Sequence, residues 1–142
     1  MDGIDEEILE LAESGITKYT SISKKLGISL STVHFRMKKL EKEKIIRKYK
    51  ADIDWAKAGY SFTAFVFVNI DINLLNKIGK TQEQLLQELK GPYIKEGYII
   101  TGDNDLMLKV VARDSSHFKE ILLNSIDGKE GITKTKTIIA LE

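Results

Sequence analysis

Apolar residues recur at helical spacing through the first 43 positions, and two glycines interrupt the pattern where the chain has to turn. Gly15 ends a first amphipathic segment, and Gly27 stands between a short second segment and a longer third one. A tight connection between two helices needs a residue in the left-handed conformation, which glycine adopts at little cost. The pattern therefore predicts three helices, at residues 5–14, 21–26 and 30–43, of which the last two form a helix-turn-helix.

The third helix has the pattern of a DNA recognition helix. Asp5 is the expected N-cap of the first helix and Ser29 that of the third, whose inner stripe is Val33, Met37 and Leu40. The outward side chains are then available to base edges, and the flanking Lys and Arg to phosphates. We expect DNA contacts from eleven residues: Ser29, Leu30, Ser31, Thr32, His34, Phe35, Arg36, Lys38, Lys39, Arg47 and Lys48.

Two of these outward residues, Leu30 and Phe35, are large and apolar, and two explanations are open for them. Contact with thymine methyl groups would explain their exposure. Alternatively, Phe35 packs against the first helix and has no role in DNA binding. We interpret His34 as groove-facing or solvated, because the only other histidine, His117, is far along the chain and has no companion ligands for a metal.

Positive charge is concentrated in residues 17–50, where eleven Lys and Arg face two acidic residues. The segment carries +9 in a chain whose net charge is +1. Double-stranded DNA favours such a segment, because each neutralised phosphate releases condensed counterions. A solvated lysine-rich surface is the alternative, and the helix-turn-helix pattern inside the segment favours DNA. Residues 45–53 are extended in character, which predicts either a β-wing or a connecting strand.

The second half of the chain has a strand-rich pattern and predicts a separate domain. We expect a DNA-binding domain at 1–50, a linker strand at 51–60 and a sheet domain at 61–142. Within it we expect strands at 61–71, 94–101, 106–112 and 132–141, and helices at 80–90 and 115–126, the second capped by Ser115 or Ser116. This βαββαβ order is ferredoxin-like and makes the fold α+β. Four strands with two helices leave one sheet face bare, so a second copy is expected to cover it.

Several functional classes receive no support from the sequence. There is no Cys, no phosphate-binding loop and no nucleophile with an adjacent base, so we predict no catalytic residue, no metal site and no cofactor. No apolar run approaches the roughly 20 residues of a membrane span. The N-terminus is acidic where a signal peptide would be basic, and we expect a cytoplasmic protein.

Six short motifs, in order, resemble those of the Lrp/AsnC ("feast/famine") family of transcription regulators, along nearly the whole chain. They are Asp2-Gly-Ile-Asp5-Glu-Glu-Ile8-Leu9; Leu26-Gly27-Ile28-Ser29; Thr32-Val33 with Arg36-Met37 and Leu40-Glu41; Gly59-Tyr60; Pro92 with Thr101-Gly102-Asp103-Asn104-Asp105; and Gly131-Ile132-Thr133-Lys134-Thr135-Lys136-Thr137. Two positions depart from the family pattern. Lys44 stands where a glycine usually follows the recognition helix, and Ser23 replaces an alanine.

The resemblance implies a winged helix-turn-helix joined to a sheet domain that forms homodimers and assembles to tetramers or octamers. It also implies an amino acid or related effector bound between dimers, near Thr101, Gly102, Asp103, Asn104 and Asp105. Asp103 or Asp105 would accept the ligand ammonium, and N–H groups near Gly102 would hold its carboxylate. The same segment also has the composition of an ordinary hairpin turn. A turn alone and a turn that also contacts a ligand therefore both remain open.

Two other functions are kept as alternatives to a DNA-binding regulator. One is a metabolite-sensing oligomeric module that no longer binds DNA, against which the positive segment argues. The other is an enzyme, since siroheme decarboxylases resemble this two-domain architecture and use His and Arg side chains in the second domain. Only Arg113 and His117 are of those types in the second domain, and no motif brings several together.

Overall fold

The chain divides between Asp52 and Ile53 into two units, and the computed structural model describes all 142 residues. The first unit contains three helices, α1 (Gly3–Glu13), α2 (Tyr19–Leu26) and α3 (Leu30–Lys42). The second contains β1 (Phe62–Ile70), α4 (Ile72–Lys77), α5 (Gln82–Leu89), β2 (Ile94–Ile99), β3 (Leu106–Ala112), α6 (Ser115–Ile121) and β4 (Ile132–Ala140). This is the predicted α+β fold, with α4 as an element that was not predicted.

The turn of the helix-turn-helix is built as the sequence predicted. Gly27 is left-handed, with φ 65°, and its N–H donates to the Ser23 carbonyl at 2.9 Å. The Ser23 hydroxyl donates to the Ile28 carbonyl at 2.6 Å, so the residue that departs from the family pattern adds a hydrogen bond across the turn. Ser29 caps α3, its Oγ accepting from the Thr32 N–H at 3.2 Å.

The N-cap of α1 is Asp2, not the predicted Asp5. The Asp2 carboxylate accepts from the Asp5 N–H at 3.0 Å, which satisfies one of the free donors at the start of the helix. The same carboxylate receives Arg36 Nη1 of α3 at 2.8 Å on each oxygen. That hydrogen bond is the main reason the pKa of Asp2 lies below its usual value.

Arg36 also donates to Asp5, with 3.1 Å between Nη1 and Oδ1, and the Asp5 side chain is only 12% exposed. One guanidinium therefore fastens the first turn of α1 to the middle of α3. The apolar core of this unit consists of Ile8, Ile22, Val33, Met37 and Leu40.

No strand follows α3, so neither the β-wing nor the linker strand expected in residues 45–60 forms. The N–H groups of Ile45 and Ile46 both donate to the Leu40 carbonyl, at 3.0 and 3.1 Å. These bonds fold the chain back over the end of α3 and leave no N–H of the two residues for a sheet. Residues 55–59 form a turn, begun by Asp54, whose side chain accepts from the Lys57 N–H at 3.1 Å.

The second unit is a four-stranded antiparallel sheet in the order β2-β3-β1-β4. One face carries the buried residues of β1 and β3, which pack against leucines of α5 and against Phe118 and Ile121 of α6. The other face has no helix residue in the core. Phe65 pairs there with Lys109 and Ile138, and Phe67 with Met107. The bare sheet face that the sequence predicted is therefore present.

Two helix starts in this unit are set by aspartates that the sequence analysis did not identify. Asp71 caps α4, and its Oδ1 accepts from the Leu74 N–H at 3.1 Å. Asp114, not Ser115 or Ser116, caps α6. After Ile121 this helix widens into a π-helical turn, Leu122–Ile126, so the predicted single helix at 115–126 has two geometries.

The backbone of Lys44 is expected to be strained. Lys44 is the only residue other than glycine with a positive φ, 62°. A left-handed conformation costs a non-glycine residue about 1–2 kcal/mol, and glycine avoids this cost. Glycine also makes the unfolded chain more flexible, which offsets part of the resulting increase in stability. We expect Lys44→Gly to raise the free energy of unfolding by about 1 kcal/mol.

Urea denaturation measures this change, with Lys42→Gly as the matched control in the last turn of α3. The control should lower stability by about 1 kcal/mol, since glycine is a poor helix former. A Lys44→Gly variant as stable as the wild type, or less so, would show that Lys44 is not strained.

Candidate nucleic-acid interface

Phe35 lies at the centre of the outward face of α3. The buried residues Val33, Met37 and Leu40 define the inner face, and at 100° per residue Phe35 points almost directly away from them. Its side chain is 69% exposed, and Leu30 at the start of the helix is 49% exposed. The alternative in which Phe35 packs against the first helix is therefore wrong.

Three hydroxyl groups gather at the N-terminus of α3. Ser29 Oγ lies 2.7 Å from Thr32 Oγ1 and 3.2 Å from Ser31 Oγ. Ser29 is already occupied as the helix cap, whereas Ser31 is exposed and can turn its hydroxyl outward. A helix N-terminus bearing free hydroxyl and N–H donors is suited to a phosphate oxygen.

His34 is exposed, and its ring meets the ring of Tyr19 edge to face, with 5.5 Å between centroids. This contact joins α2 to α3 at the rim of the outward face. It fixes the plane of the imidazole, and a ring held in place can offer a nitrogen to a base edge at less cost in entropy than a free one.

The basic residues of the predicted set fall into two groups. Arg36 lies in the ion pair with Asp2 and Asp5, so its guanidinium is engaged within the unit. Lys38 is exposed and lies 3.9 Å from Glu41, a surface pair that is worth little. The remaining three, Lys39, Arg47 and Lys48, are exposed and form no salt bridge.

The predicted effector loop is a turn between β2 and β3. The Asp105 carboxylate accepts from the Ile70 N–H at 2.7 Å, and its own N–H donates to the Val68 carbonyl at 2.9 Å. Asp105 therefore ties the loop to the end of β1, and one of its oxygens is already used. Asp103 is exposed and forms no hydrogen bond or salt bridge. Of the two proposed acids, Asp103 is the one free to accept an ammonium group.

Two clefts of the second unit lie away from this loop. A cleft of about 270 Å³ is lined by residues 88–94 with Ile121, Asn124, Ser125 and Lys129, and a shallower groove of about 560 Å³ by residues 78–80, 83, 84, 87 and 88. No group of three or more His, Asp or Glu side chains is placed to hold a metal ion. No helix has the length and apolar content needed to cross a membrane.

An aromatic cluster was missed by the sequence analysis. The rings of Trp55, Tyr60, Tyr93 and His117 follow one another at centroid distances of 4.6 to 6.4 Å. Lys95 Nζ lies 3.7 Å from the centroid of the Trp55 ring, close enough for a cation–π interaction. The members are dispersed along the sequence without a common spacing, so no sequence pattern indicated the cluster.

His117 is part of the fold rather than an open site. It is 7% exposed, and its Nδ1 accepts from the Arg113 N–H at 3.0 Å. An accepting Nδ1 requires the neutral ring with its proton on Nε2. His117 and Arg113 are thus neighbours, as a catalytic pair would need to be, but the imidazole is enclosed by the turn that joins β3 to α6.

Comparison with known proteins matches both units. Residues 63–142 match the model of the Lrp/AsnC ligand binding domain, and residues 1–47 match the winged helix-turn-helix DNA-binding model. The HTH-type transcriptional regulator FL11 of Pyrococcus horikoshii is 35% identical over 145 residues, which cover 100% of this chain and 90% of that protein.

Solved structures agree with the sequence relatives. AsnC of E. coli superposes with a TM-score of 0.80 at 26% identity, covering 100% of this chain and 93% of that one. A transcriptional regulator of Neisseria meningitidis, solved as an L-Met complex, has a TM-score of 0.82 at 23% identity, with 100% and 90% covered. The chain therefore belongs to the Lrp/AsnC family of DNA-binding transcriptional regulators.

Proposed function

We propose that this chain is a sequence-specific transcription regulator that places α3 in the major groove of double-stranded DNA and responds to an amino acid or a related metabolite. The observation that carries the DNA-binding proposal is the charge of residues 17–50, +9 in a chain of +1, beside a helix whose outward face is free. Phosphates would be neutralised by exposed Lys and Arg, and bases would meet the outward side chains of α3. A cytoplasmic location follows from this proposal, because that is where the DNA partner would be.

A second copy is proposed to cover the open face of the sheet. Phe65, Phe67, Met107 and Ile138 lie on that face, and Ile138 is 47% exposed. An apolar sheet face needs a covering layer, and the same face of another chain supplies a layer of matching shape through a two-fold axis. The resulting homodimer would present two α3 helices to half-sites about one helical turn apart, and it would assemble further to tetramers or octamers.

The effector is proposed to contact the loop Thr101–Asp105. The regulator of Neisseria meningitidis was solved with L-Met, which supports an amino acid as the class of ligand. Asp103 is exposed and free for the ammonium group, and the two clefts described above lie away from the loop. A neighbouring copy would enclose the ligand at this exposed loop, so its binding would depend on assembly and would act on dimer arrangement.

The same observations favour a DNA-binding regulator over the two alternatives, a sensor without DNA binding and an enzyme. A sensor without DNA binding gives no reason for the charge and the exposed apolar residues of the first unit. For an enzyme, the imidazole of His117 is buried and its Nδ1 is occupied by the Arg113 backbone N–H, and the relatives are named transcriptional regulators. We therefore propose that the protein has no enzymatic activity and no cofactor.

DNA binding can be tested by fluorescence anisotropy with the duplex upstream of the protein's own gene and a scrambled duplex. We expect Lys39→Ala and Lys48→Ala to weaken binding to both duplexes and to lower the salt slope by about 1 each, because each phosphate contact contributes about 0.9. Lys77→Ala, an exposed lysine of α4, is the control and should change neither quantity. An unchanged slope in both variants would remove Lys39 and Lys48 from the interface.

Assembly can be tested by light scattering after size-exclusion chromatography. We expect Ile138→Glu to shift the protein to monomers, because a charged side chain on the open face cannot be buried against a second copy without a partner. Ile72→Glu is the matched control, since Ile72 of α4 is exposed to a similar degree, 42%. An Ile138→Glu protein with the wild-type mass would contradict the proposed dimer face.

The effector proposal predicts that one amino acid changes DNA affinity or assembly, and that Asp103→Asn abolishes this response without changing DNA binding in its absence. The charge of Asp103 would be lost while the turn, which depends on Asp105, is kept. Anisotropy titrations with each amino acid in turn measure the response, starting with L-methionine. A response that survives in Asp103→Asn would place the ligand elsewhere.

A further inference from the structure

The outward face of α3 is unusual in its chemistry. A helix that reads guanine in the major groove most often does so with Arg, whose donors match O6 and N7, and one that reads adenine uses Asn or Gln. No outward position of α3 holds any of these three residue types. The centre of the face is instead a phenyl ring, Phe35. The exposed aliphatic side chain of Leu30 lies in the first turn, about 140° around the helix axis from Phe35 at 100° per residue.

The one arginine of α3 is withdrawn from base reading by the fold. Arg36 Nη1 lies 2.8 Å from both carboxylate oxygens of Asp2 and 3.1 Å from Asp5 Oδ1. Release of Arg36 would leave the Asp5 carboxylate, 12% exposed, without its partner, which is costly for a charge held away from water. Of the other two arginines in the chain, Arg47 follows the helix and Arg113 belongs to the second unit.

Charge complementarity indicates which kind of partner contacts the exposed side chains of Phe35 and Leu30. The first unit exposes five lysines on α2 and α3, and three of them, Lys38, Lys39 and Lys42, lie on the same side of α3 as Phe35. The other two are Lys24 and Lys25 of α2. An apolar side chain beside several cations fits a surface that carries negative charge and has an apolar group next to it. The major groove fits this description only where thymine occurs, because the thymine 5-methyl is its one apolar group.

We propose that Phe35 and Leu30 read thymine through its 5-methyl group, so that the operator half-site is selected by methyl contacts and not by hydrogen bonds from arginine to guanine. The proposal rests on DNA binding by α3 and specifies what that helix recognises. Lysines at the rim supply affinity for any duplex, and the phenyl and isobutyl groups supply the preference among sequences. Ser31 and Lys38, on the same face, remain for hydrogen bonds that position the helix.

Replacing thymine by deoxyuridine tests the proposal, because it removes the methyl and keeps the base pair. The probe is a duplex obtained by in vitro selection from random sequence with the full-length protein, substituted one thymine at a time. We expect one or two thymines of each half-site to show a loss of about fourfold, the value of burying one methyl-sized group. Deoxyuridine in the flanks is the control and should have no effect.

Variants assign the methyl contact to its residues. Phe35→Ala or Leu30→Ala should bind the thymine and deoxyuridine duplexes equally at the position each residue reads, and should keep the wild-type salt slope. Both residues are exposed, so folding should be unaffected, and circular dichroism checks it. Leu123→Ala, an exposed leucine of the π-helical turn at 53%, is the control and should keep the full deoxyuridine penalty.

The failure of this inference can be told from the failure of the proposed function. An enriched duplex that tolerates deoxyuridine everywhere would overturn methyl reading and leave a specific regulator. A penalty that persists unchanged in both variants would overturn the assignment to Phe35 and Leu30. If Phe35→Ala changed the oligomeric mass instead of the methyl dependence, the apolar face would be a protein interface. Selection that enriches no sequence would contradict specific DNA binding itself and this inference with it.

Discussion

The ion pair of Arg36 with Asp2 and Asp5 fastens α3 to α1, and the buried stripe beside it leaves the opposite side of α3 free. It joins helices whose paired residues lie 31 and 34 positions apart in sequence, and it uses the N-cap carboxylate of α1 as one of its two acceptors. The same contact therefore caps α1, joins it to α3 and holds the Arg36 guanidinium on the side of α3 that meets α1. The only guanidinium of α3 is thus engaged within the unit, and Phe35 is the largest apolar side chain that faces outward.

Each unit has one buried apolar cluster, and each also exposes one surface that contains large apolar side chains. In the first unit that surface is the outward side of α3, where Phe35 lies on the same side as Lys38, Lys39 and Lys42. In the second it is the open sheet face, where Phe65 and Phe67 stand among Met107, Ile138 and charged residues. The chemistry of the two surfaces differs in a way that separates their partners. Concentrated positive charge favours nucleic acid, whereas a sheet face of mixed charge and mainly apolar centre favours a second copy.

The fold was largely predictable because its elements carry local signals. Gly27 and Ser29 mark the turn and the start of α3, and the alternation in β1 gives its two faces. The prediction failed where contacts between distant parts of the chain determine the local structure. Asp5 is as good a cap as Asp2 by local chemistry, and Arg36 acts from a distant part of the chain to favour Asp2. The β-wing failed because Ile45 and Ile46 donate their N–H groups to Leu40, and nothing in their β-branched composition indicates this.

The candidate sites show the same limit. Exposure of Phe35 followed from helical periodicity, which also places Arg36 beside the inner stripe of α3. The partners of Arg36, Asp2 and Asp5, could not be predicted, because periodicity carries no information about ion pairs. Asp103 and Asp105 look alike in sequence, and only the position of the Ile70 N–H, 2.7 Å from Asp105, separates a structural acid from a free one. The aromatic cluster around His117 joins three segments of the chain and has no local signal in the sequence.

NMR spectroscopy of the protein labelled at Arg and Phe side chains, with the selected duplex added, tests the central claim most directly. It reports separately on the guanidinium of Arg36 and the ring of Phe35, which are neighbours in sequence. The ion pair and the outward face together predict that the Phe35 ring signals shift on binding while the Arg36 guanidinium signals stay where they are in the free protein. An Arg36 shift without a Phe35 shift would mean that the arginine leaves Asp2 and Asp5 to read the DNA, and would contradict the account.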